Sequence, residues 1–158
     1  GVRNRLQLTR DLELPSGELG FSVGASKASG TDTQPNAGIR YQHNFKQAAL
    51  VADLTRTVRS NTSGEEFRTV AGGVRYVHTL TPLAELDLSY RLTDVEQIVG
   101  GTEERERTTA SIAVNYSLTE DWALTAGYRH EEQVTNAVQT FESNEVFATF
   151  SRRFDLNF

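Results

Sequence analysis

Cysteine is absent from all 158 residues, and only two of the sixteen basic residues, Lys27 and Lys46, are lysine. A cysteine-free chain is compatible with passage through an oxidising compartment, although cytosolic proteins also lack the residue. Long apolar runs are missing too. The most apolar stretch, Ala48 to Leu54, is interrupted by Asp53 and falls far short of the ~20 residues a spanning helix needs. With 37% apolar residues and a negative mean hydropathy, the chain does not encode a helical membrane protein. No sustained apolar stripe appears at helical spacing, so no helix is expected. Gly1 opens directly into polar sequence, which places any export signal upstream or among removed residues. The formal net charge of -5 argues against nucleic acid as a partner. A length of 158 residues predicts one domain, residues 1–158.

What the chain does have is period-two alternation, repeated nine times. Apolar and polar residues alternate over Val2–Leu14, Glu18–Ala28, Ala37–Phe45, Ala48–Val58, Phe67–Leu80, Ala84–Thr93, Arg107–Leu118, Trp122–His130 and Glu145–Phe158. Each stretch predicts a β-strand with one apolar and one polar face. Pro15-Ser16-Gly17, Lys46-Gln47, Thr81-Pro82-Leu83 and Thr119-Glu120-Asp121 read as short turns. The intervening segments, Ser29–Asn36, Ser60–Glu65, Gln97–Glu106 and Gln133–Asn144, read as longer polar loops. Short and long connections therefore alternate. Gly38-Ile-Arg-Tyr41, Gly73-Val-Arg-Tyr76 and Ala113-Val-Asn-Tyr116 recur at spacings of 35 and 40 residues, as duplicated hairpins would.

The last fourteen residues, E-V-F-A-T-F-S-R-R-F-D-L-N-F, set Val146, Ala148, Phe150, Phe154, Leu156 and Phe158 on one phase and end on an aromatic. This segment resembles the terminal strand of bacterial outer-membrane β-barrels. There Phe154, Leu156 and Phe158 would form the signal read by the barrel-assembly machinery. The resemblance extends along the chain in its short turns, longer loops and alternating strands. It implies an all-β, antiparallel transmembrane β-barrel of the bacterial outer membrane, porin-like, in contact with lipid and lipopolysaccharide.

A soluble sandwich or lipocalin-like barrel would also alternate, with its apolar faces turned inward. Three features favour the membrane. One phase is rich in Gly, Ser, Thr, Asn, Asp and Arg in nearly every strand. Aromatics of the other phase (Phe21, Phe45, Tyr76, Tyr116, Trp122, Phe154 and Phe158) gather towards the short turns, as an interfacial belt would. The terminal Phe158 is in phase with them.

The polar phase carries Arg40, Asp53, Arg75, Glu85, Asp87, Arg91, Arg129, Arg153 and Asp155, which are expected to line a lumen. Opposed Arg and Asp rows can select solutes, as charged rings do in pores. The plainer expectation is that they pair across neighbouring strands and stiffen the interior. Glu103, Glu104, Glu106, Glu131, Glu132 and Glu142 read as solvated loop charge rather than a cation site, because no regular calcium-loop spacing accompanies them. His43, His78 and His130 fall on the apolar phase near predicted strand ends, a poor place for a lumenal base. No nucleophile elbow, metal-binding helix or phosphate loop is present. Neither catalytic residues nor a cofactor are expected.

Arg10 and Arg152 stand out, since both occupy the apolar phase. A lipid-facing Arg at mid-membrane costs ~2–4 kcal/mol, so a bulge or a protein neighbour is expected at each. The functional expectation is a pore for polar solutes or an exported polymer. A non-conducting barrel with partner-binding loops is second and an outer-membrane enzyme third. Nine strands with short turns after the odd ones put Gly1 on the side opposite Phe158. Bacterial barrels have even strand numbers and both termini on one side. The chain is therefore expected to be the C-terminal portion of a larger even-stranded barrel, completed by upstream strands or another chain.

Overall fold

The computed structural model describes residues 3–28, 33–60, 65–99, 101 and 103–152. Nine strands follow one another: β1 (Arg3–Leu14), β2 (Gly17–Ala28), β3 (Gln34–Asn44), β4 (Ala48–Ser60), β5 (Glu66–Thr81), β6 (Ala84–Val99), β7 (Glu104–Ser117), β8 (Trp122–Thr135) and β9 (Val138–Arg152). Each pairs antiparallel with its sequence neighbour, giving one meander in the order β1 to β9. The expected all-β antiparallel architecture is present.

Closure is not. β1 pairs with β2 and β9 with β8, and no pairing joins β1 to β9 among the described residues. The reason lies in the strand count. Nine strands that reverse direction at every step leave β1 and β9 running the same way, so joining them would need a parallel seam.

At the long-loop end the strands run further than their alternation predicts. β6 continues to Val99, β7 begins at Glu104, β8 continues to Thr135 and β9 begins at Val138. The twelve-residue loop expected at Gln133–Asn144 is a two-residue turn, with Asn136 at φ 50° and Ala137 at φ 61°. Positive φ at both central residues is the hairpin geometry that matches strand twist. Glu104, Glu106, Glu131, Glu132 and Glu142 accordingly lie on strands rather than in loops, and of that acidic set Glu103 alone stays in a connection. In these extensions the few apolar residues, Val95, Val134 and Phe141 among them, keep to neither phase, so alternation carries no sustained signal there.

The turns form a staircase. Through paired residues, Gly17 leads to His43, Leu50, Tyr76, Leu88, Ile112 and Tyr128. The β1–β2 hairpin ends at its Leu14–Gly17 pair, whereas the β7–β8 hairpin runs on to Ser117–Ala123, five residues past Ile112. Five residues over six strand spacings, at ~3.3 Å per residue and ~4.8 Å per spacing, incline the strands by roughly 30° from the perpendicular to the line of turns.

The sheet is a single layer with little interior. Val58 and Ala71 are the buried hydrophobic residues among those described, while Leu54, Ile112, Val146 and Phe150 are 52%, 45%, 84% and 58% exposed. The apolar residues instead form a band across one face. On β6 it runs through Ala84, Leu86, Leu88, Tyr90 and Leu92 and stops at Asp94; on β7 it runs back from Tyr116 through Val114, Ile112 and Ala110 and stops at Thr108 and Glu106. On β4 it ends at Arg56, the residue registered with Val70 on β5, and Val70 is in turn registered with Asp94. Nine residues of strand at that inclination make a band roughly 25 Å high.

Candidate functional site

The opposite, polar face is the candidate site. Register brings one transverse row together: Asp11, Gly20, Arg40, Asp53, Gly73, Arg91, Thr109 and Glu131, each paired with the next. The two glycines make room for the charges beside them. A Cβ on Gly73 would come 3.3 Å from Arg91 Nη1 and 3.5 Å from Asp53 Oδ1, and Arg91 reaches over it to within 3.7 Å of Asp53. At Gly20 a Cβ would stand 2.8 Å from Asp11 Oδ1. A cleft of about 450 Å³ opens here, lined among others by Thr9, Asp11, Glu18, Arg40, Asp53 and Arg91.

Three further arginines of this face, Arg75, Arg107 and Arg129, pair with carboxylates on adjacent strands. Arg75 donates from Nε and Nη2 to the Asp87 carboxylate, its Nη2 at 2.5 Å from Oδ2. Arg107 meets Glu131 at 2.6 Å, and Arg129 meets the directly opposite Glu145 at 3.4 Å while lying 5.4 Å over the Phe147 ring. Arg40 makes no ion pair or hydrogen bond among the described residues. Hydroxyl and amide contacts fill the gaps: Ser89 and Ser111 hydroxyls are 2.7 Å apart, and Thr125 donates to Asn115 Oδ1 at 2.8 Å.

Seven of the nine expected lining charges, Arg40, Asp53, Arg75, Glu85, Asp87, Arg91 and Arg129, share this face. Arg153 and Asp155, and the terminal Phe154, Leu156 and Phe158, lie outside the described residues. Asp11, Arg107, Glu131 and Glu145 belong to the polar face as well. Their parity with Thr9, Thr109, Arg129 and Phe147 is the signal that finds them, and Glu131 alone also needs β8 to run beyond His130. Among the described residues no three His, Asp or Glu side chains are grouped to hold a metal.

The histidines sit on the apolar face, each two residues after a tyrosine. Tyr41 hydroxyl is 3.0 Å from His43 Nδ1, and Tyr76 hydroxyl is 3.2 Å from His78 Nδ1. Asn144 Oδ1 accepts from Tyr128 hydroxyl and from His130 Nδ1, the latter at 2.9 Å. His130 is not at a strand end, because β8 continues to Thr135. Each imidazole is thus engaged with its neighbours and turned from the polar face.

The aromatics of the short-turn rim are Phe45, Tyr116, Trp122 and Phe150. Trp122 stacks on Phe150 with centroids 4.5 Å apart, and Arg152 lies 5.1 Å over the Trp122 ring. Arg152 is registered with Trp122 at the first position of β8, so it is a rim residue rather than a mid-strand one. Phe21 does not belong to this rim; it is registered with Arg10 and Ile39 in mid-strand.

Compared with known proteins, the chain matches no family model, no curated protein and no solved structure.

Proposed function

We propose that this sheet is part of the wall of a bacterial outer-membrane β-barrel, with its apolar band against lipid and its polar face lining a passage for polar solutes or an exported polymer. One observation carries the reading: an uncovered apolar band, about nine residues long on its fuller strands, that keeps step with the staircase of turns. A soluble protein rarely leaves so large an apolar face open, because water penalises it. Transmembrane barrels carry an outward band of about 25 Å on strands inclined ~35–45°, flanked by interfacial aromatics. The rim of Phe45, Tyr116, Trp122 and Phe150 fits the lower flank. At the other end Arg56, Asp94, Glu106 and Glu132 replace apolar residues where the band would leave lipid.

Two measurements test this. After refolding into phosphatidylcholine vesicles, the single Trp122 is quenched by lipids brominated near the headgroup more strongly than by lipids brominated at the chain end. An unquenched Trp122 removes the membrane. Single-channel steps in planar bilayers support the passage.

A second reading has its own observation. Because Arg75, Arg91, Arg107 and Arg129 all pair with carboxylates, much of the charge on the polar face is balanced within it, as in a stiffened, non-conducting interior. A folded, lipid-quenched but electrically silent protein selects it.

A further inference from the structure

We infer that the open edge of β1 is paired in the membrane by a further antiparallel strand that presents a carboxylate to Arg10. We infer too that an odd number of such strands separates β1 from β9. This rests on the membrane reading, and two independent observations on the same strand support it.

The first is the backbone. Along β1 and β9 one edge has no partner among the described residues. A strand edge cannot face hydrocarbon, because nothing there accepts or donates hydrogen bonds. Since β1 and β9 run in the same direction, only an odd number of added strands keeps every seam antiparallel. A second copy of this chain does not solve the problem. Two copies inserted with the same orientation would bring β1 of one beside β9 of the other, and that seam is parallel as well.

The second is Arg10. It lies on the apolar face, in line with Leu6, Leu8, Leu12 and Leu14, and is exposed. It is registered with Phe21, four residues up from the Leu14–Gly17 end of the hairpin, well inside the band. It has no ion pair or hydrogen bond among the described residues. Its neighbours on the same face of β2 are Leu19, Phe21 and Val23, none of which can balance a guanidinium. Cross-strand neighbours are the contacts a strand residue has. The compensating charge must therefore come from the side of β1 that is open. An Asp or Glu on the lipid-facing phase of the added strand would also be unfavourable alone, so the two charges stabilise each other. The occupant is thus a strand of alternating polarity with one acidic residue out of pattern.

Cross-linking tests this directly, because the chain has no cysteine of its own. The Thr9→Cys variant is refolded in phosphatidylcholine vesicles and offered synthetic eleven-residue peptides of alternating Leu and Thr. Each peptide carries one cysteine beside a central Glu or Lys on the Leu phase. The Glu peptide is expected to form several-fold more mixed disulfide than the Lys peptide, and Arg10→Glu to reverse that order. Equal cross-linking of both peptides overturns the assignment of Arg10. An intramolecular disulfide in Thr9→Cys/Glu145→Cys, or disulfide dimers of Thr9→Cys that outcompete the peptides, overturns the added strand. Brominated-lipid quenching of Trp122 is read in the same samples. Its loss overturns the membrane reading and this inference together, whereas quenching with equal cross-linking overturns the inference alone.

Discussion

Arg91 and Asp53 come within 3.7 Å of each other although the whole of β5 lies between their strands. They meet because the residue between them is Gly73, whose missing side chain leaves the space both use. A contact across two strand spacings ties three strands with one ion pair, and it sets Asp53 between Arg91 on one side and its register partner Arg40 on the other.

Widening Gly73 should therefore uncouple the pair. In a double-mutant cycle of Arg91→Ala and Asp53→Ala, coupling of about 0.2–1 kcal/mol is expected for a half-exposed pair. In a Gly73→Leu background that coupling should fall to nothing, read from urea unfolding midpoints in vesicles. Undiminished coupling would show that the two charges meet by another route.

Changing their charge should divide the polar-face arginines into two groups. Arg40, which makes no ion pair, is expected to tolerate the neutral Arg40→Gln with normal folding and to shift ion selectivity towards cations. Arg75→Glu instead sets two carboxylates against each other at Asp87 and should lower the folded yield. Reversal potentials in asymmetric salt, measured beside heat-modifiability on gels, distinguish the two.

On the apolar band, position along the strand should decide the penalty. Ile112→Arg is expected to destabilise the protein in bilayers by ~2–4 kcal/mol, while Ser111→Arg on the other face costs much less. Equal penalties would mean that the band does not face lipid.

The β8–β9 turn offers a gain. Ala137 holds φ at 61°, a left-handed conformation that disfavours a Cβ. Ala137→Gly makes an Asn-Gly turn of the preferred hairpin type and should stabilise by roughly 0.5–1 kcal/mol. A lowered unfolding midpoint would mean that the turn is not of that type.

Phe158 carries the resemblance to an assembly signal. Its deletion, or Phe158→Asp, should reduce the heat-modifiable fraction delivered to the outer membrane, with little effect on refolding in detergent. Normal delivery of both variants would remove the signal from this segment.

Within the band the sequence determined the strands, their faces and nearly every polar-face residue. There one phase is apolar and the other polar, so the alternation that makes a strand amphipathic also reveals it. Gln133–Asn144 shows where that stops: its few apolar residues, Val134, Val138 and Phe141, keep to neither phase, the alternation vanishes, and only the pairing of Thr135 with Val138 reveals a hairpin. Parity placed Asp53 and Arg91 on one face, but could not show that they touch. That depends on register, which brings Gly73 between them, and register is a property of the paired backbones. The same holds for Arg152, whose sequence phase made it an anomaly until its pairing with Trp122 put it at the rim. The open edge differs: nine alternating stretches already leave the first and last strands running the same way. There the three-dimensional pairing adds only the register, because hydrogen bonds between backbones and not alternation set which residues stand opposite one another.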